Sequence, residues 1–150
     1  MRMRDRTTLH LTASVVRRLA DAFASSRREV CGVVAGRRVD TGSIVLSGVS
    51  FMRNYSPSGA RFAVRSSALM RHCTWFRSLG LHYHALVHSH PRGPLIPSWP
   101  DIETLKLTGM PGLIFSCRKG HVEVRGFRVR ELRGLDLPVE VRIASRRLTR

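Results

Sequence analysis

Two histidines, His88 and His90, stand one residue apart in a run, residues 81–90, whose composition reads as a strand. Side chains two apart along a strand point to the same face, so both imidazoles face one space. A proline-rich loop, residues 91–97, follows. It leads to Ser98, which suits a helix N-cap, and to Asp101, which falls in the first turn of the helix behind it. A loop that folds back brings that carboxylate beside the two imidazoles. Two imidazole nitrogens, one carboxylate oxygen and a water make the tetrahedral, open site that catalytic zinc uses. With seven histidines in the chain an H-x-H pair alone carries little, and His82 and His84 form a second such pair on the same run. The fixed offset from His90 to Ser98 and Asp101 separates the two. His82 and His84 read as structural, because further ligands would close the open position.

Water activated at a metal also needs a base close by that is not itself a ligand. The chain has five glutamates, Glu29, Glu103, Glu123, Glu131 and Glu140. Glu29 opens the apolar run 30–35 (VCGVVA), where a carboxylate is costly without a partner and where Cys31-Gly32 lets another backbone approach closely. Glu103 shares a helix with Asp101 but points about 200° away from it. On the residues alone other roles stay open. Glu29 could pair with Arg27 or Arg28, Ser98 could be a plain cap, and Asp101 could simply complement the helix dipole. Cys31, Cys73 and Cys117 are scattered in apolar stretches without a C-x-x-C pair, which reads as reduced core thiols.

The elements that must position these groups follow from periodicity. Residues 7–12 (TTLHLT) read as a strand, and residues 13 to about 28 as a helix with Val15, Val16, Leu19, Ala20 and Phe23 on one face. Residues 30–35 read as a buried strand closed by Gly36, 43–51 as its hairpin partner, 54–59 as a loop and 62–64 as a brief strand. Ser66 or Ser67 caps a second helix that carries Leu69, Cys73 and Phe76 and runs to about Leu79, before Gly80. A third helix begins after Ser98 and ends at Gly109. Residues 112–117 and 121–130 flank an Arg-Lys-Gly turn as a hairpin. Residues 139–143 add an edge strand, and 144–150 form a frayed tail. The fold class is α/β, one curved mixed sheet with two to three packed helices, in a single domain over residues 1–150.

Taken together, Glu29-Val30-Cys31-Gly32, His88-Ser89-His90-Pro91 and Ser98-x-x-Asp101 resemble the signature of the JAMM (MPN+) metalloprotease family, in a compact prokaryotic-type member. Asn54, Pro57, Arg61-Phe62 and the stretch Arg125-Gly126-Phe127-Arg128-Val129 extend the resemblance over about residues 7–130. The resemblance implies a JAMM/cytidine-deaminase-like fold and one zinc ion per chain held by His88, His90 and Asp101. It implies that Glu29 is the general acid/base and that the Ser98 hydroxyl stabilises the oxyanion. The implied reaction is hydrolysis of the peptide or isopeptide bond after the C-terminus of a ubiquitin-like or sulfur-carrier protein, whose extended tail would lie in a groove beside a strand edge.

The charge bears on partners. Lys plus Arg number 26 against 10 acids, a formal +16 in which nearly all the cations are arginine. Such an excess suits an acidic partner protein. The arginines are spread over the chain, with no aromatic-interleaved motif of the kind that reads single strands, so nucleic acid is not the expected partner. Two other functions fit the chain: a non-catalytic MPN-like scaffold, and a basic nucleic-acid-binding domain. No apolar run reaches the roughly 18–20 residues that cross a bilayer, and residues 1–6 lack the apolar segment of a signal peptide, so a cytoplasmic protein is expected. Oligomeric state, substrate identity and the type of bond stay open.

Overall fold

Strands that alternate apolar residues on two faces, and helices with one apolar stripe each, need a sheet covered on both sides. A computed structural model, which describes residues 7–56 and 63–145, shows how the chain meets that need. Its elements are β1 (Thr8–Leu11), α1 (Ala13–Ala24), β2 (Cys31–Asp40), β3 (Ser43–Met52), α2 (Ser66–Ser78), β4 (Tyr83–Ser89), α3 (Trp99–Thr108), β5 (Gly112–Arg118), β6 (His121–Leu132) and β7 (Leu135–Ser145). The strands pair in the order β1-β3-β2-β4-β5-β6-β7 and close into a barrel. β1 runs parallel to both β3 and β7, β4 runs parallel to β5, and the other neighbours are antiparallel. The mixed α/β class with three helices is as the sequence indicates.

The closure corrects the expected open sheet. Residues 139–143 are not an edge strand: β7 is twice as long, pairs with β6, and on its other side pairs with β1 from Thr8↔Arg142 to Leu11↔Ser145. The missed signal is a tight turn at Arg133-Gly134, both with positive φ (52° and 77°), which sends the chain straight back as a hairpin. Every described strand therefore has two neighbours, but β1 covers β3 only from Ser43 to Leu46, so β3 from Ser47 to Met52, which ends beside Cys31, pairs with β2 alone among the described residues. Ala144 and Ser145, expected in the tail, belong to β7, while residues 146–150 lie outside the described residues. Of the brief strand expected at 62–64, residue 62 is likewise outside them and Val64 belongs to no strand. Helix α1 stops at Ala24, short of Arg28, because Ser26 turns the chain back by bonding the backbone of Arg28. β2 runs past Gly36 to Asp40 through a register shift between Ala35 and Gly36.

Two cores result. On one face, α1 sets Val15, Val16 and Leu19 against Leu9, Val34, Leu46, Val87 and Phe115. On the other, Cys73 and Phe76 of α2 and Leu105 of α3 pack on Val33, Ala35, Leu86 and Ile114. Alternation along β4 assigns Ala85 and Val87 to the first face and Leu86 to the second. His88, two residues beyond Leu86, therefore points toward the side that α3 covers. Gly32 meets the close backbone approach expected of it, since a Cβ there would lie 2.4 Å from the Ser50 carbonyl oxygen. Among the described residues no helix is long and apolar enough to cross a membrane.

Candidate metal centre

The antiparallel pairing of β2 and β4 sets Cys31 opposite His88, so the residues preceding β2 run alongside the end of β4. Glu29 and Cys31 share the period-two face of that segment, as His88 and His90 share theirs. A clasp holds the two segments together. Ser89 N–H donates to the Val30 carbonyl (2.9 Å), and Val30 N–H donates to Ser89 Oγ (2.8 Å). From the other side, the Asn54 amide donates to the Glu29 carbonyl (3.0 Å) while its oxygen accepts from the Ser56 and Ala63 N–H groups.

α3 supplies the third group. Ser98 is its N-cap, Pro100 sits in the first turn, and Asp101 is N3 of a capping box. The Ser98 hydroxyl accepts from Asp101 N–H (3.3 Å), and Asp101 Oδ2 accepts from Ser98 N–H (2.8 Å). Buried Leu95 and Pro97 pin the preceding loop, so the helix start has a fixed place over the sheet. The dipole and cap roles considered for Ser98 and Asp101 are thus real, and the same geometry also aims the Asp101 carboxylate at the histidines.

His88 Nε2 lies 3.2 Å from Asp101 Oδ1, His90 Nε2 lies 3.2 Å from Asp101 Oδ2, and the two Nε2 atoms are 3.1 Å apart. His90 Nδ1 meets the Pro94 carbonyl at 3.0 Å. That contact makes Nδ1 the donor, so that in the neutral ring Nε2 turns its lone pair toward the cluster. Two imidazole nitrogens and the two oxygens of one carboxylate thus converge, an arrangement that favours a proton or a cation between them. Ligands about 2.0–2.1 Å from a tetrahedral zinc lie about 3.3 Å from one another, close to the separations seen here. The donor set fits such an ion.

The titrations of these groups follow from burial and mutual contact. Burial opposes ionisation of Asp101, but hydrogen bonds with His88 and His90, the charge of His88 and the Ser98 amide hold its carboxyl well below the usual range. Burial pushes the His88 pKa down against the pull of Asp101. Burial also opposes charge on His90, yet hydrogen bonds with Asp101 and Pro94, with the nearby carboxylates, raise it overall. Glu29, 6% exposed, has no hydrogen-bond partner for Oε2 among the described residues. Its pKa is raised from 4.5 to about 7, chiefly by burial, with His90 lowering and Asp101 raising it. A carboxyl beside such a cluster, with its pKa raised toward neutrality, is suited to accept or release a proton.

The remaining candidates take other places. No ion pair joins Glu29 to Arg27 or Arg28 among the described residues; Arg28 instead donates to the Ser56 carbonyl. Glu103 is exposed. His84 bonds the Leu81 carbonyl (2.8 Å) and packs on Phe76, as a structural residue does, whereas exposed His82 precedes β4. Cys31 and Cys73 are buried free thiols and Cys117 is partly so; burial first and Glu29 second push the Cys31 thiol up to about 12. Ser89 and the bracing role of Asn54 were missed. The only signal for Ser89 was its place between the histidines, where alternation turns it away from their face.

The model of prokaryotic homologs of the JAB domain matches residues 12–130. A comparison with curated proteins gives no match. Among solved structures, the chain is similar to the solution structure of a Desulfitobacterium hafniense protein, at 23% identity over 92% of each chain with a TM-score of 0.69. It is also similar to the solution structure of a protein from Salinibacter ruber (strain DSM 13855), at 21% identity, covering 90% of this chain and 91% of that one, with a TM-score of 0.59. At those identities the likeness is one of fold. With its cluster of His88, His90 and Asp101, and with the family match spanning most of its length, the chain belongs to the prokaryotic homologs of the JAB domain.

Proposed function

We propose that the chain is a zinc-dependent peptidase or isopeptidase that cuts the bond following the C-terminus of a ubiquitin-like or sulfur-carrier protein. The observation that carries this reading is the convergence of His88 Nε2, His90 Nε2 and the Asp101 carboxylate at 3.1–3.2 Å, with the Glu29 carboxyl, whose Oε2 has no hydrogen-bond partner among the described residues, beside them. His88, His90 and Asp101 would hold one zinc ion. When bound, zinc supplies Lewis acidity, which lowers the pKa of water to about 7 and polarises a carbonyl.

The chain's own groups do the rest. Glu29 takes the proton from the attacking water and returns it to the leaving amine, a task suited to its raised pKa. The Ser98 hydroxyl accepts from Asp101 N–H through a lone pair, so its proton is available to donate to the developing oxyanion. The capping box and the Ser89 clasp fix these groups in advance, so little ordering remains at the moment of reaction. The excess of basic residues suits an acidic partner.

Elemental analysis of the purified protein beside Asp101→Ala and Glu29→Ala tests the proposal. About one zinc per chain is expected in the wild type, lost in Asp101→Ala and kept in Glu29→Ala, whose turnover falls by orders of magnitude. A wild-type protein that takes up no zinc even when it is supplied would overturn the reading.

A further inference from the structure

Arg53, just past β3, and Arg65, at the N-cap position of α2, place their guanidinium carbons 4.8 and 4.3 Å from the centroid of one ring, that of Tyr55. The two charges therefore lie within about 9 Å of each other, near one Debye length at physiological ionic strength. Arg28 joins them through its bond to the carbonyl of Ser56, the residue after Tyr55. All three arginines and Tyr55 are exposed. None of the three makes an ion pair among the described residues. The surface pairs found there are Lys106–Asp136 and Arg125–Glu140, on α3, β6 and β7. Three cations are thus gathered with no acid paired to them among the described residues.

The cluster is fixed to the metal centre. Tyr55 N–H donates to the Ala63 carbonyl (2.9 Å), and its neighbour Asn54 holds the Glu29 carbonyl. Arg28 is covalently next to Glu29. A guanidinium lying over an aromatic face keeps its in-plane N–H groups free, and these match carboxylate oxygens two at a time. We infer that Arg28, Arg53 and Arg65 form a subsite for an acidic segment of the polypeptide substrate, set beside the metal centre around Tyr55. The inference deepens the peptidase reading and rests on it. A carboxylate-bearing peptide fits better than a nucleic acid strand, because a ring already carrying two guanidinium groups is closed to the base stacking that single-strand binders use.

Fluorescence anisotropy on the full zinc-loaded chain tests this with two labelled peptides ending in Gly-Gly, one rich in Asp and Glu, the other its Asn and Gln counterpart. The acidic peptide should bind about tenfold more tightly at low salt. That advantage should shrink as salt rises and collapse to the level of the amide peptide in Arg53→Gln/Arg65→Gln. Arg28→Gln, outside the ring stack, provides a second measurement with the same expected direction. Equal affinity for the two peptides, or a preference that survives in the double variant, overturns the subsite. So does displacement of the peptide by a lower concentration of a single-stranded oligonucleotide of equal charge, which would make the surface a nucleic acid site. Anisotropy reads binding alone, so the two ideas fail separately. Acid-selective binding without turnover counts against the peptidase, and turnover without acid selectivity counts against the subsite.

Discussion

Replacing Glu29 by Gln should make the zinc-free protein more stable at alkaline pH while it abolishes turnover. The carboxyl is buried, lacks a partner for Oε2 among the described residues, and has its pKa raised from 4.5 to about 7. The folded state therefore holds this proton more firmly than the unfolded state does. Its contribution is intact below about pH 4.5, is lost as pH rises toward 7, and is gone above that. A shift of that size corresponds to about 3 kcal/mol. Glutamine fills nearly the same space without a charge. Wild type and Glu29→Gln should thus unfold alike near pH 4.5 and differ by up to about 3 kcal/mol at pH 8, or roughly 6–12 °C in Tm for a chain of this size. Urea and thermal unfolding at three pH values, with chelator present, measure the gap. Adding zinc should narrow it, because a dication beside the site favours the anion. A pH-independent offset between the two proteins, or none at any pH, would refute the argument that burial of a lone carboxyl sets the Glu29 titration.

Other outcomes follow from the same contacts. Ser89→Ala leaves Val30 N–H without its side-chain acceptor, so a loss of about 1–3 kcal/mol is expected in the urea midpoint, with zinc content kept and turnover reduced. Ser89→Thr should restore both. Zinc affinity, read by competition with a chromogenic chelator, should fall as pH drops through and below the ordinary histidine value of 6.5, since the raised His90 pKa makes a proton compete for the site. A flat profile between pH 5 and 8 would contradict it. Gly32→Ala drives a Cβ to 2.4 Å from the Ser50 carbonyl oxygen and should lower stability by about 1–3 kcal/mol in chemical denaturation.

What could be read from the sequence was local. Period-two alternation put His88 and His90 on one face, and cap chemistry put Asp101 in a first turn, so the meeting of the three groups was legible from spacing plus one folded loop. The position of Glu29 was legible as an acid at the start of an apolar strand. Its neighbours were not. That Ser89 clasps Val30, and that Asn54 braces Glu29, depends on which strand lies next to which, and one chain's hydrophobic pattern does not encode that pairing. The barrel closure is the extreme case. Its decisive contacts join β1 to β7, and the turn that makes β7 possible, Arg133-Gly134, looked like the end of a strand rather than the middle of a hairpin.

That closure sets the order in which the molecule can assemble. The pairs from Thr8↔Arg142 onward join residues about 130 positions apart, so sealing the barrel carries a large loop-closure entropy and raises the contact order. Meanwhile β2, β4 and the start of α3, which bring the metal-site residues together, lie within the span from 31 to 101 and can pair earlier. On a ribosome, β1 emerges long before β7 exists, and until then both flanking strands show unpaired backbone to neighbouring chains. The finished barrel gives every described strand a neighbour on each side. The nascent chain carries unpaired edges for most of its synthesis, and the seam between β1 and β7 is where its folding will be slowest.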